Sequence, residues 1–409
     1  MPSTPTLKSD IGIYVFAWEE EKAELRLERV TQSKDAVWAE ATVRTTSPGR
    51  ISTQLAFSRV NLLGGSSQTG LIKDLEKRQE GPDWYAMVQQ ACVVALQKYR
   101  AGEPLVPIGT SYSDSGHSWA IYPIVRGTTP TVIYGKGGSG KSTFAAFAAA
   151  IAQNGTAWTG LVPNQTNVMY LDYESDAEEV GNKVWALHKG MGIGGDVEVF
   201  YRFSTEKLIS DVEQLRREIL ERNIGLIFID SLSLAAGGEL SEADSFIRYF
   251  GALRSLKTAS ITIHHQNKEG GMYGSEYIRN FARNVWEVRS EQESGSSKLT
   301  FGLFHKKVNV GRLLSPIGLE FNYVNDEITG RVSSIQVGEG NLLAFGSTAS
   351  AMPLDTRVYD MLKMGAEKTD TLAAALEVPE AELRSTLARH PDRFNRLSDG
   401  RYGITYRGS

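Results

Sequence analysis

The chain has 409 residues, a formal net charge of −4 and a single cysteine, Cys92. That length allows two or three domains around a sizeable core, and the charge excludes a protein coated in basic surface, so any nucleic acid must be held by a local groove or by repeated copies. One cysteine excludes an internal disulfide and a cysteine-rich metal site, while the absence of an 18-residue apolar run and of an apolar core in the first ten residues, MPSTPTLKSD, predicts a soluble cytoplasmic protein with no membrane partner.

Residues 11–60 alternate apolar and polar positions, as in IGIYVFAWEE and AVWAEATVRTT, which predicts a small β-rich unit. A helix is expected over 82–99, with Cys92 buried in its apolar stretch 87–96. The segment 108–118, IGTSYSDSGHS, reads as a flexible crossing. A boundary near residue 115 follows, giving an N-terminal β-rich α+β domain over 1–115.

From about 120 to 325 short apolar runs alternate with helical patterns, the signature of a mostly parallel sheet with helices on both faces. Strands are expected at 131–134, 167–172, 197–203, 224–230, 259–264, 284–289 and 299–305. The first ends in GKGGSGKS, residues 135–142, and an alanine-rich helix follows. Gly135, Gly137, Gly138 and Gly140 let the backbone turn its N–H groups inward to cradle an anion at a helix N-terminus. Lys141 then reaches the β- and γ-phosphates and Ser142 is placed to ligate Mg²⁺. Residues Gly135 to Thr143, with Ser139 among them, therefore predict a site for a nucleoside triphosphate, taken as ATP with Mg²⁺. The competing reading is a glycine turn with an incidental lysine.

Residues 224–231, IGLIFIDS, form an apolar strand ending in Asp230. At the ligand edge of a parallel sheet this carboxylate would hold Mg²⁺ directly or through water; alternatively it caps a turn. The strand in NVMYLDYESD ends in Asp172 and Glu174, and a glutamate there can orient and deprotonate water in line with a γ-phosphate. Glu174 is the chosen base, although acids are common on solvated loops. The strand SITIHH brings His264 and His265 to the same edge, where His265 is the chosen γ-phosphate sensor rather than a structural histidine.

The order of these motifs resembles the RecA-like ATPases, and IHHQNKEGGMYGSEYIRNFARNVWEV resembles the corresponding stretch of plasmid RepA-type hexameric helicases. The resemblance covers roughly residues 120–325 and implies an RecA-like core over 116–336. It gives Lys141 and Ser142 phosphate and Mg²⁺ roles, makes Glu174 the base, Asp230 the Walker B acid and His265 the sensor. It also implies that HKKVNVGR, residues 305–312, supplies a charge in trans to a neighbouring subunit's nucleotide. Lys307 and Arg312 are the candidates, although the usual lysine-x-arginine spacing is not kept. The loops 234–245 and 267–276 fall where such rings grip single-stranded DNA. Lys268, Met272 and Tyr273 would supply a charge, an adaptable apolar group and a stacking ring.

After a connection at 337–350, residues 351–409 read as two short helices and an Asp-Gly hairpin, which resembles a winged helix; such folds bind DNA or protein. The implied activity is an ATP-driven single-stranded DNA translocase, a hexameric helicase of plasmid or phage replication type, with replication proteins docking on the flanking domains. The alternatives are a RecA-like recombinase forming filaments and a regulatory ATPase acting on protein partners.

Overall fold

The computed structural model describes residues 2–405 except 11, 48–52, 103–104, 106, 108–118, 238–242, 268–269, 273–275, 310 and 345. Two compact units emerge, Met1–Gly116 with Ser210–Asn223, and His117–Ile209 with Ile224–Ser409. The expected crossing at 108–118 lies outside the described residues.

The first unit is a five-stranded antiparallel sheet whose strands lie side by side in chain order. Strict alternation sets its two faces. In the strand Ala36–Thr45, Val37, Ala39, Ala41 and Val43 are buried while Trp38, Glu40 and Thr42 face the other way. The buried face meets helices Ser66–Arg78 and Trp84–Ala101 in one apolar cluster. Asp83 caps the longer helix by accepting from Ala86 N at 3.0 Å, a contact worth about 1 kcal/mol. Cys92 is buried there, and burial pushes its thiol up to about 12, so it packs as a small hydrophobe. The helix Ser66–Arg78 has no side-chain cap, which is why the sequence gives little sign of it.

The second unit contains a nine-stranded sheet. Its strands run, in spatial order, Phe200–Phe203, Asn167–Asp172, Ile224–Asp230, Ala259–His265, Pro130–Gly135, Asn284–Glu291, Lys298–Val308, Ile317–Asn325 and Val332–Glu339. The first six are parallel and the last three add on antiparallel. This is the expected α/β arrangement, a mostly parallel central sheet flanked by helices. Two differences from the sequence reading stand out. The strand expected over 197–203 begins only at Phe200, and the sheet extends past 305 by two further strands.

The helix Lys141–Asn154 is the centre of this unit: every residue from Phe144 to Ala152 is fully buried. Alanine favours the helix and lets the sheet approach closely, and Phe144 stacks on Phe301 at 5.2 Å while Phe147 meets Phe321 edge-on. Each buried phenylalanine is worth about 2–3 kcal/mol of transfer free energy. The antiparallel extension is therefore part of the packing that fixes this helix. Helix Ala177–Met191 lies against the last strand so closely that a Cβ on Gly190 would come within 2.1 Å of Ile335 O.

The tail has helices Leu354–Leu362, Thr369–Leu376 and Glu380–Arg389 and a hairpin of Phe394–Arg396 with Tyr402–Ile404. It carries its own small core, including Val358, Leu372, Leu383, Leu387 and Phe394. Among the described residues, no helix is long and apolar enough to cross a membrane.

Candidate nucleotide site

Strand register brings the chemistry to one edge. Asp172 pairs with Asp230 and His265 pairs with Gly135 across the parallel ladder, so the carboxyl ends of four strands finish together, where α/β sheets bind ligands. Gly138 and Gly140 have φ of 71° and 81°. At Gly140 a Cβ would also fall 2.6 Å from Leu299 Cδ2, so conformation demands glycine and any larger residue would displace the Leu299 end.

Lys141 is 5% exposed and its Nζ donates to Gly135 O at 3.0 Å and Lys136 O at 2.6 Å. Burial holds its ammonium below the usual lysine range, opposed by the nearby carboxylates of Asp230 and Glu174. Ser142 Oγ donates to Asp230 Oδ2 at 2.8 Å, and Tyr170 OH donates to the same oxygen at 3.0 Å. Burial raises the Asp230 carboxyl, with Glu174 and Asp172 adding to the rise and the two hydroxyls opposing it. A cation at this point would relieve that strain of charge.

The residues fit Mg²⁺ and a triphosphate. A hydroxyl and a carboxylate stand adjacent, the hard oxygen donors this ion takes. The buried Ser139 Oγ in the loop has no hydrogen-bond partner, as expected of a donor meant for a phosphate oxygen. Among the described residues, no group of three His, Cys, Asp or Glu side chains could hold a metal, so Mg²⁺ would take Ser142 and Asp230 and complete its shell with phosphate oxygens and water. Next to Thr143 a cleft of about 860 Å³ opens, lined also by Asn182, Lys183, Tyr323 and Arg331. Tyr323 OH donates to Thr143 Oγ1 at 3.3 Å.

The structure separates the two carboxylates that the sequence left side by side. Asp172 is buried and accepts from Glu174 N (3.0 Å), Ser175 N (3.2 Å), Ser175 Oγ (2.6 Å) and Tyr201 OH (3.2 Å). It builds the turn; Glu174 is what the turn presents. Glu174 Oε1 accepts from Ser231 Oγ and lies 3.5 Å from His265 Nε2, each of the two side chains being 40% exposed. Strand alternation sends His264 into the core and leaves His265 at the edge. Immediately after it, Gln266 N donates to Gly135 O at 3.0 Å, and Gln266 bridges to Met272. Lys141, Ser142, Glu174, Asp230 and His265 are thus one cluster. Ser231, Tyr170 and Tyr201 are members that sequence reasoning missed; the serine directly after the strand-terminal aspartate was the available signal.

Lys307 is not in the cluster. Its Nζ donates to the carbonyls of Arg279, Asn280 and Ala282 at the end of the short helix Glu276–Phe281, a C-terminal capping role. Burial, with Arg283 and Arg279 nearby, holds its ammonium low. Lys306 pairs with the buried Glu287 at 2.8 Å, which also takes Arg289. His305 stacks on Trp286 at 4.2 Å, its Nε2–H donates to Asn284 Oδ1 at 2.7 Å, and its Nδ1 accepts from Leu314 N at 2.9 Å. Burial lowers the His305 imidazole, so it is neutral and pins the turn that carries Arg312. Arg312 itself is exposed. Of the expected DNA-gripping residues, Met272 is half-buried, while Lys268 and Tyr273 lie outside the described residues. The loop expected at 234–245 begins as the helix Leu232–Ala236 and ends inside the helix Ala243–Ser255.

Sheet order, phosphate loop and the paired Ser142 and Asp230 together have the geometry of a P-loop nucleotide site. Residues 110–271 match a protein-family model described as an AAA domain. Among solved structures, a KaiC-like protein from the hyperthermophilic archaeon Pyrococcus horikoshii OT3 is similar at 15% identity and a TM-score of 0.37, over 53% of this chain and 93% of that one. No curated protein matches the sequence.

Proposed function

We propose that the chain hydrolyses ATP to move along single-stranded DNA, as a ring of copies in the manner of a replicative helicase. The observation that carries this reading is the short path from the reacting end of the nucleotide to a loop: Glu174 contacts His265, and the next residue, Gln266, is tied to Gly135 O. A hydrogen bond from His265 to the γ-phosphate, made with triphosphate and lost with diphosphate, would shift the loop that starts at Gln266.

In this reading the triphosphate lies in the loop 135–142 and the nucleoside extends past Thr143 into the adjoining cleft. Bound Mg²⁺ offsets charge on the β- and γ-phosphate oxygens. Glu174 accepts a proton from the water whose oxygen attacks the γ-phosphorus, as the bond from that phosphorus to the bridging oxygen breaks and ADP leaves. Ser231 and His265 hold the Glu174 carboxylate in place. Lys141 leaves its carbonyl partners to neutralise the phosphates, and Arg312 is the exposed cation available to a neighbouring copy.

A second reading, a regulatory ATPase acting on a protein partner, draws on the tail. Arg384 is paired with Glu380, Arg393 with Asp355, and Arg389 with its own helix, so the helix Glu380–Arg389 offers few free cations to a DNA groove. Steady-state ATP hydrolysis with and without single-stranded DNA, for the native chain, Lys141→Ala and Glu174→Gln, separates the two. Stimulation by DNA that both substitutions abolish supports the motor. Turnover indifferent to DNA sinks it and favours the switch.

A further inference from the structure

The outer face of the N-terminal sheet carries a second pattern. Along the strand Ala36–Thr45 the outward side chains are Trp38, Glu40, Thr42 and Arg44; across from them on the edge strand Gln54–Asn61 stand Asn61, Arg59 and Phe57. Read along the face, the sequence of groups is Arg44, Phe57, Arg59, Trp38, alternating cation and ring over about 20 Å at the usual strand rise. The Arg59 guanidinium lies over the Trp38 ring at 5.1 Å, and Phe57 is 59% exposed, its ring open to a planar ligand.

Neighbouring parts of the same face are spoken for. Arg26 pairs with Glu221 and Glu28 with Arg217, both on the helix Leu208–Arg222. Arg29 reaches Glu40 at 3.2 Å, which cancels the strip's one acid. Arg44 and Arg59 are left exposed and take no carboxylate among the described residues. The register sets Glu24 opposite Arg44 and Glu40 opposite Arg59, yet neither arginine makes an ion pair among the described residues, so the strip presents two unpaired guanidiniums set between rings.

We propose that this strip binds single-stranded nucleic acid, with Arg44 and Arg59 on phosphates and Phe57, backed by the Arg59–Trp38 ledge, stacking on a base. Both contact types are the ones such strands use: backbone charge neutralised by cations, and bases laid on aromatic faces without sequence preference. A protein partner would also cover Phe57, but it gives no reason for cations spaced between rings. The inference stands on the N-terminal unit alone and needs no ATP turnover.

The test is fluorescence anisotropy of a labelled oligo(dT) with the full chain at low salt, with and without magnesium and a non-hydrolysable ATP analogue. For the double variant R44A/R59A, affinity is expected to fall about tenfold or more and the slope of log affinity against log salt to drop by about 1.4, two phosphates at ~0.7 each. Phe57→Ala should cost about fivefold or more, the low end of the loss on removing one stacking ring. Hydrolysis of ATP without DNA should not change in either variant, which also shows that both fold. Variants that bind oligo(dT) as the native chain does, or a native chain that captures none, overturn the proposal. The surface and the motor fail separately: loss of binding in R44A/R59A with turnover indifferent to DNA keeps the surface and removes the motor, whereas unaltered binding with DNA-stimulated turnover does the reverse.

Discussion

The phosphate-loop unit and the N-terminal sheet place their polar groups in opposite ways. In the core, Asp172, Asp230 and Lys141 are buried and each is held by two or more hydrogen bonds, so removing one member leaves others desolvated and unpaired. On the N-terminal face, Arg44, Phe57 and Arg59 stand in solvent, with the Arg59–Trp38 stack the one contact described among them. The difference teaches where each kind of site is fragile: the first in chemistry and stability together, the second in binding alone.

The largest effects should come from the core. Lys141→Ala and Glu174→Gln are each expected to lower kcat for ATP hydrolysis by about 10²-fold or more; Glu174→Gln should still bind nucleotide and Lys141→Ala should not, which equilibrium binding of a fluorescent ATP analogue resolves. Gly140→Ala comes next. It adds a Cβ against Leu299 at positive φ, and thermal unfolding should show a loss of about 1–3 kcal/mol together with nucleotide binding.

Asp230→Asn sharpens the contrast from the other side. The native fold raises this carboxyl, so native Asp230 binds its proton more readily than the unfolded chain does, and its contribution to stability declines as pH rises through and above the ordinary aspartate range near ~3.9. The variant should lose hydrolysis, and its unfolding temperature should depend less on pH above that range than the native chain's does. His305 has the converse sign. Burial lowers its native value, so its contribution is present above the unfolded value of ~6.5 and is lost as pH falls from there toward the lowered one. Calorimetry of His305→Gln should show a flatter acid limb than the native chain. The smallest effect should be R44A/R59A on thermal stability, within about 0.5 kcal/mol; a larger loss would erase the contrast between the two regions.

Legibility in the sequence followed the same divide. The loop 135–142 was readable because a backbone cradle dictates glycine, lysine and serine at fixed spacing, and the parallel strands because a buried strand is a run of apolar residues. Glu174 was chosen over Asp172 from the sequence, but the partners that set the two carboxylates apart, Tyr201 and Ser231, lie far along the chain and were not legible there. The capping contacts of Lys307 were not readable because its acceptors belong to a helix some 25 residues earlier. The strands Ile317–Asn325 and Val332–Glu339 mix half-buried and exposed positions, which blurs their period. The Arg44, Phe57, Arg59 and Trp38 strip was invisible for a further reason: it exists only once two strands are in register.

The helix Leu208–Arg222 groups with the N-terminal unit, yet the chain enters it from the strand Phe200–Phe203 and leaves it for the strand that ends in Asp230. No single cut can then divide the protein into its two units. A fragment starting at residue 117 would keep Arg217 and Glu221 but lose Glu28 and Arg26, their partners, and would carry an unclad helix directly upstream of the strand that ends in Asp230. Anyone seeking a minimal nucleotide-binding fragment should replace that helix with a short connection instead of trimming the N-terminus, because the chain passes through each unit twice.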